Sequence, residues 1–197
     1  MIAGHFGLAT GVKAGAPRLP LWALLLSTFL LDWIFIILFA AGIESFAQID
    51  PARPAYGSAL IHAYYTHSLV GALVIAAVAG LVAARFWGQR GGLVIGAVVF
   101  SHWILDLIVH RPDLPILPGN LGNLPLLGFG LWNYPAASAI VELALVLAGA
   151  YLYYRSATQL PAPPGADAGG HRRRALMASG VTTLLLLALL AADVLAL

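Results

Sequence analysis

Hydrophobic residues fill five long stretches of the chain, and shorter polar or Gly/Pro-rich segments separate them. About 20 apolar residues, at ~1.5 Å of helical rise per residue, cross the ~30 Å hydrocarbon core of a bilayer. The predicted membrane spans are residues 19–42, 58–84, 92–110, 131–154 and 175–197. The pattern therefore predicts an all-α polytopic membrane protein, in which residues 1–197 form a single integral membrane domain.

Two segments lie outside these spans. Residues 2–12 are apolar but too short to cross, so they either lie flat on the membrane or re-enter it as a half-helix packed against protein. Re-entry would lift His5 close to the predicted level of His102. Residues 155–174 are rich in Pro and Gly, which predicts a flexible cytoplasmic linker before the last helix.

Composition limits the kinds of chemistry that this protein could carry out. The chain is 61% hydrophobic and only 9% charged, so a soluble catalytic domain has no room and the lipid bilayer is the expected partner. With no cysteine, disulfides, thiolate nucleophiles and Cys-based metal sites are excluded. A metal would have His and carboxylate ligands, which suit zinc, manganese or iron. The net charge of +2 gives no reason to predict a nucleic-acid partner.

Basic residues orient the predicted bundle, because cytoplasmic loops are enriched in Lys and Arg. With five spans, eight of the ten basic residues fall on one side: Lys13, Arg18, Arg85, Arg90, Arg155, Arg172, Arg173 and Arg174. Arg53 and Arg111 fall on the other. This places the N-terminus in the cytoplasm and the C-terminus outside.

Three ionisable residues recur every fourth position within the third predicted span. His102, Asp106 and His110 therefore share one face of a helix. A charge in hydrocarbon costs a few kcal/mol or more, so it persists only with a partner, a metal or a water-filled cavity. The His102–Asp106 spacing suits binding of one cation, and an imidazole–carboxylate hydrogen bond without metal is the alternative.

Other predicted spans carry ionisable residues to a similar depth. Asp32 and His67 both lie roughly 20 Å above the cytoplasmic interface, and His62 lies higher. An unpaired Asp32 among apolar neighbours would be protonated, so a metal or a histidinium partner accounts for it better. His67 is predicted to be functional, whereas His62 is equally well explained as an interfacial residue.

Two more residues are candidates for chemistry at such a site. Glu142 falls near the middle of the fourth span as a ligand, general base or proton carrier, and a neutral hydrogen-bonded glutamic acid is the alternative. Arg111 begins the longest outer loop and is a candidate contact for a phosphate or lipid headgroup. A surface salt bridge with Asp113 is the plain alternative.

These residues, in this order, resemble a known family. The matching elements are Gly4-His5, an Asp late in the first span, His62 followed by Thr66-His67-Ser68, and Ser101-His102 followed by Leu105-Asp106. They resemble the bacterial membrane-bound metal-dependent hydrolases, which include an inner-membrane protein regulated by the SOS repressor, and more remotely the zinc-dependent phospholipase C and P1 nuclease group. The resemblance implies a bacterial inner-membrane location and a metal site at His5, Asp32, His62, His67, His102 and Asp106. One carboxylate of the family pattern is missing, because Leu31-Asp32-Trp33-Ile34 replaces Pro-Asp-x-Asp, and this implies fewer metals or none.

The leading prediction is a membrane-embedded, metal-dependent hydrolase of a phosphoester or phospholipid, with zinc as the first choice of metal. Glu142 is the predicted base and Arg111 the predicted phosphate contact. The first alternative is a transporter or channel that moves protons or divalent ions through the same buried cluster. The second is a scaffold protein whose polar cluster only joins helices.

Overall fold

The computed structural model describes residues 1–49, 55–159 and 167–195, apart from the side chain of His171, and it is mostly helical. The helices are α1 (Ile2–Gly15), α2 (Leu21–Thr28), α3 (Leu30–Ala40), α4 (Leu69–Val109), α5 (Pro135–Gln159) and α6 (Ala168–Leu195). Two short strands are β1 (Ser45–Gln48) and β2 (Ala59–His62), and two 3₁₀ turns cover Pro118–Asn120 and Leu131–Asn133.

Three of these helices, α4, α5 and α6, are long and apolar enough to cross a membrane. A fourth candidate span is the pair α2 and α3, which meet at an angle of 49°. The span predicted over residues 19–42 therefore remains a candidate but is not one straight helix, since the helix breaks at Phe29 (φ −105°, ψ 11°). By length and composition the described residues give three or four candidate spans, so the structure does not show the five that were predicted.

Helix α4 is folded back on itself at Gly88, where the backbone is not helical (φ 70°, ψ 175°). A straight helix of 41 residues would be about 60 Å long, twice the thickness of a membrane core. The two arms instead lie against each other: a Cβ added to Gly80 would meet the Gly92 carbonyl at 2.9 Å, and one on Gly96 would meet the Ala76 carbonyl at 3.1 Å. Small residues thus allow the backbones of the arms to approach closely.

The second predicted span, residues 58–84, starts before the helix does. Residues 58–68 are not helical, and α4 starts after Ser68, whose Oγ accepts the Gly71 N–H at 3.0 Å as an N-cap. Upstream, β2 pairs antiparallel with β1, with Ser45 opposite His62. The all-α prediction missed this pair of strands because each has only four residues, too few for a clear alternating pattern.

Helix α1 is enclosed by the other helices and packs against α2, α4, α5 and α6. Its tightest contact is with α5, where a Cβ on Gly7 would meet the Leu145 carbonyl at 2.9 Å. On this evidence of packing, the apolar N-terminal segment is part of the bundle, as in the re-entrant alternative, and is not a helix lying separately on a surface.

The predicted linker is narrower than residues 155–174. Helix α5 continues to Gln159, and α6 begins at Ala168 because the Asp167 carboxylate accepts the N–H groups of Gly169 and Gly170 at 3.0 and 2.8 Å. Residues 160–166 lie outside the described part, so the prediction of a flexible linker now concerns them alone.

Candidate metal centre

Four separate segments bring ionisable side chains to one place inside the bundle. His5 comes from α1, Asp32 from α3, His67 from the turn before α4, and His102 and Asp106 from the second arm of α4. Except for Asp32, these residues are at most 3% exposed. Five of the six predicted metal positions therefore converge, as the depth argument required.

The central contacts join the two carboxylates to imidazole nitrogens. The Asp106 Oδ2 atom lies 3.0 Å from His102 Nε2 and 3.5 Å from His67 Nε2. The Asp32 carboxylate lies 3.3 Å from His67 Nε2 and 3.6 Å from His102 Nε2. The two Nε2 atoms of His67 and His102 are themselves 3.3 Å apart.

These separations fit a metal ion. Ligand atoms ~2.0–2.1 Å from a tetrahedral zinc ion lie about 3.3–3.4 Å from one another. The five contacts just given range from 3.0 to 3.6 Å. Two trios of side chains have their ligand atoms mutually close enough for an ion: His5, His102 and Asp106, and Asp32, His67 and His102. The chain thus contains a buried His/Asp cluster that is able to hold a metal.

The fold holds the imidazoles of His102 and His67 by their outer nitrogens. His102 Nδ1 lies 2.7 Å from the Thr28 carbonyl, at the break between α2 and α3, and a carbonyl only accepts. His67 Nδ1 lies 2.8 Å from Thr66 Oγ1, whose own proton is donated to Glu44 Oε2 at 2.9 Å. Both Nδ1 atoms therefore carry the proton of the neutral ring, and both Nε2 lone pairs face the centre. Metal-binding histidines are oriented by such outer partners.

The turn that carries His67 is fixed from two sides. Trp103 Nε1–H donates to the His67 carbonyl at 2.8 Å. Glu44 is 2% exposed and accepts the N–H groups of Tyr65 and Thr66 at 2.7 and 2.9 Å. Sequence reasoning missed Glu44, since nothing in its spacing links it to a turn twenty residues later.

His110, the last residue of the predicted third span, also belongs to the cluster. Its Nε2 lies 3.8 Å from Asp106 Oδ2, and its Nδ1 lies 2.9 Å from Asp113 Oδ1. The four-residue periodicity of the stripe was the signal for it. The alternative salt bridge between Arg111 and Asp113 is wrong: Asp113 pairs with His110 and also accepts the Ile61 N–H at 3.3 Å.

The two predicted catalytic residues have contacts of a structural kind. Arg111 donates to the carbonyls of Gly57 and Trp132. Glu142 is fully buried and accepts the Gly4 N–H at 2.9 Å and the Tyr56 O–H at 2.6 Å. A carboxylate at the first turn of α1 is favourably placed, because helix N-termini attract negative charge. These contacts leave the predicted roles of base and phosphate contact without support from the geometry.

His62 is not brought to the cluster. It lies on β2, not on a helix, and its ring stands perpendicular to that of Tyr64 at 5.7 Å. The helical spacing assumed between His62 and His67 does not apply, because residues 63–68 form a turn. His62 gains no support as a ligand and provides a convenient control residue.

A cavity of about 360 Å³ gives access to the cluster. Its polar lining includes the five converging residues and His110, together with Gln48, Ser58 and Asp193. Its apolar walls include Phe29, Phe35, Ile36 and Trp132. This volume is in the range of small-ligand sites. Tyr56 also lines it; burial, followed by the hydrogen bond to Glu142, raises the pKa of the Tyr56 phenol, which favours its role as a hydrogen-bond donor.

On the side of the cluster away from the cavity, the interior of the bundle is apolar. A group of buried residues separates it from the turn at Gly88: Ala9, Leu19, Ala23, Leu24, Ala83, Ile95 and Val98. The polar path towards Arg85 and Arg90 that a transporter would require is thus interrupted by a packed apolar layer among the described residues.

Comparisons of the chain with protein-family models, with curated proteins and with solved structures find no match. The likeness to membrane-bound hydrolases therefore rests on the residue pattern alone. The fold and the site define the class: a mostly helical protein with apolar helices suited to a membrane and a buried His/Asp cluster that is compatible with a metal.

Proposed function

We propose that this protein is a membrane-embedded, metal-dependent hydrolase that acts on a phosphoester. Asp32, His67, His102 and Asp106 are the residues that would hold the ion, and zinc suits two imidazoles with two carboxylates, as manganese or iron also do. A divalent ion there would activate water and polarise a phosphoryl oxygen.

One observation carries the proposal. His67 Nε2 and His102 Nε2 lie 3.3 Å apart, while both Nδ1 atoms donate outwards. Two neutral rings held in this way turn lone pairs towards each other and towards the Asp32 and Asp106 carboxylates. A shared metal ion relieves this repulsion, and so would a proton that turns one ring into a histidinium donating to Asp106; the metal content of the purified protein distinguishes the two.

The cavity supports an amphiphilic substrate such as a phospholipid. Its floor is the His/Asp cluster, and its walls include Phe35 and Ile36 of α3. Ile36, Ile37 and Phe39 also expose large apolar surface on the outside of α3. A phosphate at the floor and an acyl chain along α3 would satisfy both surfaces, and the apolar layer behind the cluster favours access from one side.

The topology that accompanies this function has five crossings. Each arm of α4 is about 20 residues long and so matches a bilayer. The two arms of α4, the α2–α3 pair, α5 and α6 then make five spans. In this topology the N-terminus lies in the cytoplasm of a bacterial cell and the C-terminus lies beyond its inner membrane.

The test begins with elemental analysis of the purified protein. We expect a divalent metal in the wild type, its loss in His102→Gln and Asp106→Asn, and its retention in the matched control His62→Gln. Thermal melting establishes that each variant is folded. Absence of metal from wild-type protein, even after incubation with zinc, manganese or ferrous iron, would overturn the proposal.

Activity is measured on two kinds of substrate. Phospholipid vesicles and the soluble diester bis(p-nitrophenyl) phosphate are compared in the same detergent buffer, with and without a chelator. We expect chelator-sensitive release of the phosphoester product, and more from the phospholipid. Metal-loaded protein that cleaves neither substrate would count against hydrolysis of phosphoesters.

A further inference from the structure

One of the four imidazoles around Asp106 differs from the others. His67, His102 and His110 each have an outer partner for Nδ1. His5 Nδ1 is buried and has no hydrogen-bond partner among the described residues. The ring of His5 lies flat on that of His102, with centroids 3.8 Å apart and planes 4° from parallel.

This difference decides which nitrogen of His5 carries the proton. His5 Nε2 lies 3.1 Å from Asp106 Oδ1. As an Nε2–H tautomer, His5 donates a charge-assisted hydrogen bond to that carboxylate. Nδ1 has no partner in either tautomer, but a buried N–H without an acceptor is rarer in proteins than an unpaired acceptor. Binding an ion through Nε2 would require that N–H, because the proton would then be on Nδ1. The geometry favours donation.

The ligand trios lead to the same conclusion. Both trios contain His102, and its Nδ1 is engaged by the Thr28 carbonyl. Its single free nitrogen, Nε2, can bind one ion. The two trios therefore cannot each bind an ion at the same time. The trio with His67 is the better site, because Thr66 orients the His67 ring through Nδ1.

We propose that the centre holds one ion per chain and that His5 is a positioning residue, not a ligand. By donating to Asp106 Oδ1, His5 turns Oδ2 towards His67 and His102. This inference rests on the proposed metal-dependent function, and it departs from the resemblance, which would make His5 a ligand. It also assigns a role to α1, since His5 on that helix holds the Asp106 carboxylate in place from inside the bundle.

The experiment uses cobalt(II) as a spectroscopic probe in the full-length protein. We expect wild type to bind one cobalt ion per chain. His5→Gln keeps a donor near the position of Nε2, so it should bind one ion with unchanged visible bands. His5→Ala should bind one ion about 10- to 100-fold more weakly, the usual loss when an outer partner is removed. The ligand control, His102→Gln, should lose the bands.

Two results would overturn the inference and leave the metal centre intact: two ions per chain in the wild type, or a change of bands in His5→Gln as large as that in His102→Gln. Wild type that binds no cobalt and no zinc would overturn the metal centre itself, and the inference with it. The wild-type stoichiometry needs no variant, so the test does not depend on the folding of any substitution.

Discussion

His67 and His102 face each other through their Nε2 atoms at 3.3 Å, although 35 residues separate them in the chain. Each ring is held from behind, His67 by Thr66 and His102 by the Thr28 carbonyl. The two rings are thus arranged in advance, and the free energy of ordering them is supplied by folding. This is how proteins raise the affinity of a metal site.

Metal should stabilise the folded protein, because an ion that binds only the folded state lowers its free energy. With free zinc at about 1,000 times Kd, we expect Tm to rise on the order of 10 °C. His102→Gln should lose this rise and His62→Gln should keep it, as measured by thermal melting in detergent. The scaffold alternative predicts the same Tm with zinc and with a chelator.

The Glu44–Thr66–His67 chain should control metal affinity without touching the ion. Thr66→Val removes the hydroxyl that accepts His67 Nδ1–H, so we expect zinc affinity to fall about 10- to 100-fold. The measurement is competition with a zinc-binding dye. The matched control, Thr158→Val near the exposed end of α5, should leave zinc affinity unchanged, because the Thr158 hydroxyl donates to carbonyls of its own helix. Equal affinities in wild type and Thr66→Val would contradict the orienting role.

Close packing of α1 on α5 should exclude any side chain larger than that of glycine at position 149. A Cβ on Gly149 would collide with the Gly7 carbonyl, so Gly149→Ala is expected to destabilise the protein by about 1–3 kcal/mol. The control is Gly180→Ala in α6, where a Cβ meets nothing within 4 Å. That substitution should be neutral or slightly stabilising, since Ala favours a helix over Gly. Chemical denaturation in mixed micelles compares the two.

Tyr56 should make stability depend on alkaline pH. Burial and Glu142 raise the pKa of its phenol, so the folded state disfavours the phenolate. Stability from this group is complete below about pH 10, the ordinary pKa of tyrosine, and declines as the pH rises above it. Tm measured from pH 9 to pH 11 should fall less steeply in Tyr56→Phe. Identical slopes would show that Tyr56 does not contribute.

Transport through the cluster should not occur. The apolar layer that includes Leu24, Ile95 and Val98 lies between the cluster and the turn at Gly88. Proteoliposomes loaded with a zinc-sensitive dye, or with a pH-sensitive dye, should take up neither ion above the rate of empty vesicles. Saturable uptake that is abolished by His102→Gln would replace the hydrolase with a transporter.

The pattern of residues was enough to predict much of the buried His/Asp cluster. The stripe of His102, Asp106 and His110 follows from helical periodicity, and agreement in depth brought in Asp32 and His67, because both arguments depend only on the constant rise and turn of a helix. The same arithmetic failed for His62, which lies on a strand, and it did not predict the break at Phe29 in the first span.

By itself, therefore, the sequence determined an apolar helical protein with a His/Asp cluster and no cysteine chemistry. The tertiary structure alone decided that Glu142 binds the first turn of α1, that Glu44 reaches His67 through Thr66, and that His5 lacks an outer partner. The physical reason is that hydropathy and periodicity are properties of local chain segments. Hydrogen bonds between residues far apart in the chain depend on the angles at which helices pack and on where they break, which local patterns do not specify.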